Sequence, residues 1–244
     1  MKLYLAKIAP FLDPAIFAEA FPLVTEERQN FIKKIHYAED QARSLAAGLL
    51  LEYGLGERGY TLLEKEHGKQ KVSLVYGEDG KPELSGDTGI FFNLTHSGDY
   101  AAAAFDTMPI GVDIEKMREQ KQHENSRKLA ERFFCKRERE FLQKIEAQDG
   151  AEAYDVAFIK IWTRKESYVK AKGTGIKLSF DSFCVLEPET EDQTFFFHTM
   201  TPDKDYQLSV CSGRKETPEI TTLDLTDFEK TIIIKTCEGG KIHV

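Results

Sequence analysis

Two carboxylates one residue apart are the first feature of this chain with chemical content. Asp113 and Glu115 flank Ile114 in Gly111-Val112-Asp113-Ile114-Glu115. Side chains alternate along a strand, so both acids project from one face while Val112 and Ile114 enter a core on the other. Two hard oxygen ligands side by side suit Mg²⁺, which takes one or two carboxylates and leaves its other positions to water and substrate phosphates. A solvated edge strand explains the same pattern. The second stretch is Trp162-Thr163-Arg164-Lys165-Glu166-Ser167-Tyr168-Val169-Lys170. On a helix it places Trp162, Glu166 and Lys170 on one face, with Lys165 beside them. A surface Glu–Lys pair accounts for that spacing, but not for the chain's single Trp on the same stripe, nor for Lys172-Gly173-Thr174-Gly175 directly after it. His96 follows a strand within Asn93-Leu94-Thr95-His96-Ser97-Gly98, a turn whose hydroxyl, imidazole and backbone N–H groups can hold a phosphate. Arg43 and Lys81, taken singly, are solvated cations.

The elements that must position these residues follow from hydrophobic period. Residues 1–8 alternate as a first strand. Residues 25–53 carry apolar side chains at helical spacing, with Thr25 as N-cap and Gly54 and Gly56 as terminators. Three strands are expected at 90–95, 100–105 and 110–114, separated by turns and arranged as a meander. Helices are expected at 124–148 and at 152–172, the second ending near Gly173 and Gly175. Strands return at 194–200, 206–211 and 231–236. Helix, strands, helix, strands is an α+β pattern that can be read twice, as two related halves.

Composition sets the outer bounds. The 244 residues include 41% hydrophobic and 30% charged side chains, as in an ordinary soluble protein. No apolar run reaches the roughly 20 residues that a membrane helix needs, and the N-terminal apolar stretch is too short for a signal peptide. A cytoplasmic protein with no membrane partner is expected. The net charge of −8 disfavours a general nucleic-acid binder. Four cysteines without a C-x-x-C pair argue against a zinc site and a disulfide framework, and read as free buried thiols.

Taken in chain order, the motifs resemble a known family. They are Arg43 within Glu39-Asp40-Gln41-Ala42-Arg43, then Gly80-Lys81-Pro82, Phe92-Asn93-Leu94-Thr95-His96-Ser97 and Gly111–Glu115. Arg132-Phe133-Phe134 with Glu138, and Trp162–Lys170, complete the series. Six elements in this order, from about residue 40 to 175, resemble the Sfp-type 4′-phosphopantetheinyl transferases; the remaining third carries no diagnostic motif. The resemblance implies a pseudo-dimer of two similar α+β subdomains, residues 1–110 and 111–244, with coenzyme A in the cleft between them. It places Mg²⁺ on Asp113, Glu115 and Glu166. It assigns Arg43 to the 3′-phosphate of coenzyme A, Lys81 and Pro82 to its adenine and ribose end, and His96 to a phosphate with the Thr95 hydroxyl nearby. Lys170 neutralises the departing 3′,5′-ADP, and Glu166 is the candidate base for the serine of an acyl or peptidyl carrier protein. Pairing with Lys170 is expected to hold the Glu166 pKa low, which leaves a water as the alternative proton acceptor.

Departures from the family pattern set further expectations. Thr95 and Thr163 stand where Ser is common. Cys135 stands where Ser or Thr usually caps a helix, which weakens the capping box around Glu138. Phe31 occupies a position where a second phosphate-binding cation is expected beside Arg28, with Lys33 and Lys34 as substitutes. Lys116, Arg118, Lys121, Arg127, Lys128 and Arg132 are either a docking face for an acidic carrier or a salt-bridged helix surface. Two further functions are compatible with the fold, a non-catalytic binding module and a metal-dependent hydrolase. The first has no need of the metal carboxylates, and the second lacks a further set of residues for activating water. A chain holding both halves can close the cleft by itself, so a monomer is expected.

Overall fold

The computed structural model describes residues 1–64, 68–77, 80–117, 123–191 and 193–225. Strand β1 (Lys2–Lys7) leads into helices α1 (Pro14–Ala20), α2 (Glu26–Ile32) and α3 (Ala38–Gly56). Four short strands follow: β2 (Tyr60–Thr61), β3 (Gln70–Lys71), β4 (Leu74–Tyr76) and β5 (Pro82–Leu84). Next come β6 (Phe91–Ser97), β7 (Tyr100–Asp106) and β8 (Ile110–Lys116). Helices α4 (His123–Phe133), α5 (Lys136–Asp149) and α6 (Ala151–Lys172) precede β9 (Phe196–Met200), β10 (Tyr206–Ser212) and β11 (Glu219–Leu223). The chain is α+β. No helix among the described residues is long and apolar enough to cross a membrane.

Two sheets organise the molecule, one ordered β11-β1-β7-β6 and the other β8-β10-β9. Strand alternation stacks them between helices. Leu3, Leu5, Ala102 and Ala104 of the first sheet share a core with Val112, Ile114, Leu208 and Val210 of the second. The neighbouring residues Tyr4, Ala6, Ala103 and Phe105 face α3, while Phe197 and Cys211 face α6. The layer order is therefore helix, sheet, sheet, helix. The four consecutive alanines of β7 keep that sheet thin on both faces, and all four are fully buried. β11 returns to the first sheet and runs parallel to β1, with Lys2 opposite Glu219.

Several elements differ from expectation. The meander stops after two strands: β6 and β7 pair antiparallel, but β8 pairs with β10 and opens the second sheet. The helix expected over 25–53 is two helices. The N–H groups of Lys34 and Ile35 close three-residue turns onto Phe31 and Ile32, and the Gln41 side chain donates to the Ile35 carbonyl at 2.8 Å. Gly54 is no terminator. A Cβ there would lie 2.2 Å from the Phe105 ring, so it lets α3 settle onto the sheet. The helix expected over 124–148 also breaks, because Phe134 turns inward to stack on Phe158 at 5.1 Å. β11 was not anticipated, and the strand expected at 231–236 lies outside the described residues.

His123 fastens α4 to its neighbours. Its Nδ1 lies 3.0 Å from Asp155 of α6 and its Nε2 3.1 Å from Glu146 of α5. Desolvation opposes the charged ring, but the hydrogen bonds and charges of Asp155 and Glu146 outweigh it and raise the pKa. A raised folded-state pKa gives stability that is complete below the unfolded value of about 6.5 and is lost as pH rises through the folded one. The melting-temperature gap between the wild type and His123→Gln should be wide at about pH 6 and nearly closed by about pH 9. Calorimetry showing a gap independent of pH would remove the charge from this clamp.

Candidate active site

β8 and α6 meet at unusually short range, and Gly111 is the reason. A Cβ on Gly111 would lie 2.0 Å from the Ser167 carbonyl oxygen and 2.5 Å from the Ala171 nitrogen. Only glycine lets the helix backbone sit directly on the strand. The contact brings Asp113 against the last turns of α6. Lys170 Nζ donates to Asp113 Oδ1 at 2.6 Å and to the Val112 carbonyl at 3.2 Å. Asp113 is 4% exposed, and its other oxygen, Oδ2, is buried without a hydrogen-bond partner among the described residues. Burial raises the Asp113 pKa against the opposing pull of Lys170 and Thr95.

Glu166 departs from the expected low pKa. Its pKa is raised, first by burial and then by the Asp113 charge, with Lys170 opposing. The i, i+4 spacing did not decide the outcome, because the Lys170 ammonium is committed to Asp113. Two adjacent carboxylates that both resist ionisation, one with an orphaned buried oxygen, leave a deficit of positive charge. A hard divalent cation fits that deficit.

Glu115 lies on the same face of β8 as Asp113 and is held through a seam to the other sheet. Asn93, Thr95 and Ser97 alternate along β6 and reach the backbone of β8. Asn93 Oδ1 accepts from Val112 N at 2.9 Å, Thr95 Oγ1 from Ile114 N at 3.3 Å and Ser97 Oγ from Lys116 N at 3.2 Å. The hydroxyls also donate onward, Thr95 to Asp113 at 3.3 Å and Ser97 to Glu115 at 3.0 Å. Side chains thus occupy the edge N–H groups of β8, which would otherwise be unpaired.

Cations gather beside the carboxylates. His96 is accessible to solvent, yet the protein around it lowers its pKa, and the Arg43 and Lys170 charges lower it further. All three groups therefore face one region suited to an anion. Arg43 is fixed there by Asp40 at 2.6 Å and by the Gly98 carbonyl at 2.8 Å. That turn is pinned in place: Tyr206 OH donates to Asp99 Oδ2 and accepts from Asp99 N, both at 2.8 Å. Gly98 has a φ of +53°, and a Cβ would lie 2.3 Å from the Tyr206 hydroxyl. Lys81 is placed differently from a free ligand-seeking cation. Its ammonium donates to the Lys170 carbonyl at 2.6 Å, capping the end of α6 where the helix dipole favours it. Its pKa is lowered by burial.

Lys81, Pro82, Asn93, Glu166 and Lys170 line a cavity of ≈ 590 Å³, closed on its far side by Phe133, Trp162, Leu178 and Phe180. Trp162 stands between Phe158 and Phe180, with ring centroids at 5.9 and 5.6 Å, and so belongs to both core and wall. Arg28 turns inward to the Ser44 carbonyl at 3.3 Å, and Phe31 is 59% exposed. Of the basic residues between 116 and 132, Lys116 pairs with Asp99, Arg127 with Glu146 and Lys128 with Glu124. Arg118 and Lys121 lie outside the described residues.

The capping box around Glu138 is intact with Cys135 at the N-cap; Glu138 Oε2 accepts from Cys135 N at 2.9 Å. What the sequence did not reveal is the partner of Glu138. Lys165 Nζ lies 2.9 Å from it, with both side chains fully buried. The adjacency of Lys165 to Glu166 was the available signal, since consecutive helix positions cannot both face one cleft.

Comparison with known proteins identifies the family. The profile of the 4′-phosphopantetheinyl transferase superfamily matches residues 109–222. The chain is 32% identical over 210 residues to the 4′-phosphopantetheinyl transferase ffp of Bacillus subtilis, covering 82% of this chain and 87% of the relative. It is 30% identical over 209 residues to Sfp of Bacillus subtilis strain 168, with the same coverage. It is 27% identical over 215 residues to gsp of Aneurinibacillus migulanus, covering 88% and 84%. The chain belongs to the 4′-phosphopantetheinyl transferase superfamily.

Proposed function

We propose that this chain transfers the 4′-phosphopantetheine arm of coenzyme A to a serine hydroxyl of an acyl or peptidyl carrier protein and releases 3′,5′-ADP. The supporting observation is that Glu166 and Lys170 line the cavity while Lys170 is bonded to the buried Asp113, whose Oδ2 has no partner among the described residues. Asp113, Glu115 and Glu166 are the residues that would hold Mg²⁺, and bound there it would neutralise charge on the pyrophosphate. The rest falls to the chain's own groups. Arg43 and His96 bind phosphate, with Thr95 beside them, and Lys170 stabilises negative charge on the departing 3′,5′-ADP. The serine oxygen forms a bond to phosphorus as the bond to the leaving phosphate breaks. The proton of the serine goes to the Glu166 carboxylate, which lines the cavity. The two halves, 1–110 and 111–244, form the two sides of a pseudo-dimeric cleft in one monomer, and β11 ties the second half back to the first.

The test is to incubate the chain with coenzyme A, Mg²⁺ and an apo carrier protein, and to weigh the carrier. Addition of one phosphopantetheine is expected. Asp113→Asn should slow transfer by at least about 100-fold, the scale of losing one charge-stabilising group, while the fold is kept. A carrier of unchanged mass across several carrier types would sink the proposal. Phosphopantetheine released without an adduct would point to hydrolysis.

A further inference from the structure

Cys135 and Cys184 are far apart in sequence, and their spacing carries no metal signature. The fold brings them together. The two sulfurs and a carboxylate oxygen of Glu138 all lie within 4.8 Å of one another. We propose that Cys135, Cys184 and Glu138 form a second cation site, outside the cleft, for a thiophilic divalent ion of the zinc class.

Geometry, scaffold and charge support it. Zinc–sulfur bonds of about 2.3 Å place two tetrahedral thiolates about 3.8 Å apart, so the sulfurs need move by no more than about 1 Å. Both ligand segments are tied down. Cys135 is the N-cap of the 14-residue helix α5, and Cys184 lies between two anchored residues. On one side the Phe183 carbonyl accepts from Lys165 at 2.7 Å; on the other Val185 N donates to Glu138 Oε1 at 2.9 Å. A carboxylate offers about four lone-pair sites. Cys135 N, Val185 N and Lys165 Nζ occupy three of them, which leaves one for the ion. Glu138 and Lys165 already cancel in charge. Exchanging two thiol protons for one divalent ion leaves the cluster's net charge unchanged, so no unpaired charge is buried. Both cysteines are only partly buried, which gives an ion a way in. Sulfur ligands separate this site from the all-oxygen cleft, which suits a hard ion.

The probe is Cd²⁺ alone, titrated into the full chain with thiols kept reduced by a phosphine. One equivalent should produce the ultraviolet sulfur-to-cadmium charge-transfer band, and Zn²⁺ should displace it. Cys135→Ser and Cys184→Ser should each lose the band. Serine is a favoured N-cap, so the first of these keeps its fold. The Cys211→Ser/Cys237→Ser variant should retain the band in full. No band in the wild type, or a band surviving in Cys135→Ser/Cys184→Ser, would overturn the site. Cadmium in the carboxylate cleft gives no sulfur band and cannot imitate it.

Discussion

Gly111→Ala should destabilise the protein by about 3 kcal/mol or more, and should abolish transfer in whatever fraction stays folded. The added methyl would lie 2.0 Å from the Ser167 carbonyl and 2.5 Å from the Ala171 nitrogen. Neither atom belongs to a side chain that can rotate away. Relief requires the whole of α6 to lift from β8, and α6 also carries Tyr168 and Ala171 into the second helix-facing core. A lifted helix takes Lys170 out of reach of Asp113, now 2.6 Å away, so the cleft and the core fail together. Urea titration read beside carrier modification checks both. A variant within about 1 kcal/mol of wild type would show that the two backbones are not truly in contact.

Lys165→Met is the second large effect, with a loss of roughly 3–5 kcal/mol. The ammonium donates to Glu138 Oε2 at 2.9 Å, to the Phe180 carbonyl at 2.6 Å and to the Phe183 carbonyl at 2.7 Å. All three of its protons are used. Methionine fills the space but leaves a fully buried carboxylate without a counter-charge and two carbonyls without a donor. Lys165→Met/Glu138→Gln should lose less than the sum of the single changes, because no lone charge remains. Additive losses in that cycle would mean that the pair is not coupled. Phe180 lies in the cavity wall, so the single variant should also weaken coenzyme A binding in a calorimetric titration.

What local period governs was legible in the sequence. Alternation put Asp113 and Glu115 on one face of β8, and helical spacing put Trp162, Glu166 and Lys170 along one cavity. Pairings between distant segments were not legible. Nothing local says that β8 leaves the meander for β10, or that β11 crosses back to β1. The low pKa expected for Glu166 failed for the same reason. Its neighbour on the helix was visible, but the strand that claims that neighbour's ammonium was not. Arg28 and Lys81 each looked like cations available to a ligand, yet each is turned onto a backbone carbonyl of α3 or α6. Helix interruptions at 33–37 and 134–135 escaped period analysis because neither contains Gly or Pro; a side chain seeking the core or a cap ends each helix instead.

The seam between β6 and β8 has a consequence for motion. The two sheets are joined at that edge by three side chains, not by a ladder of backbone bonds. Such a joint can open and reclose without either sheet unravelling. Amide exchange at Val112, Ile114 and Lys116 would then report the breathing of the cleft, separately from the melting of the fold. Because Thr95 and Ser97 also donate to Asp113 and Glu115, each opening would take one hydrogen bond from each acid, while Lys170 still holds Asp113. The mouth of the cleft and the setting of its acids would then be coupled through one row of side chains.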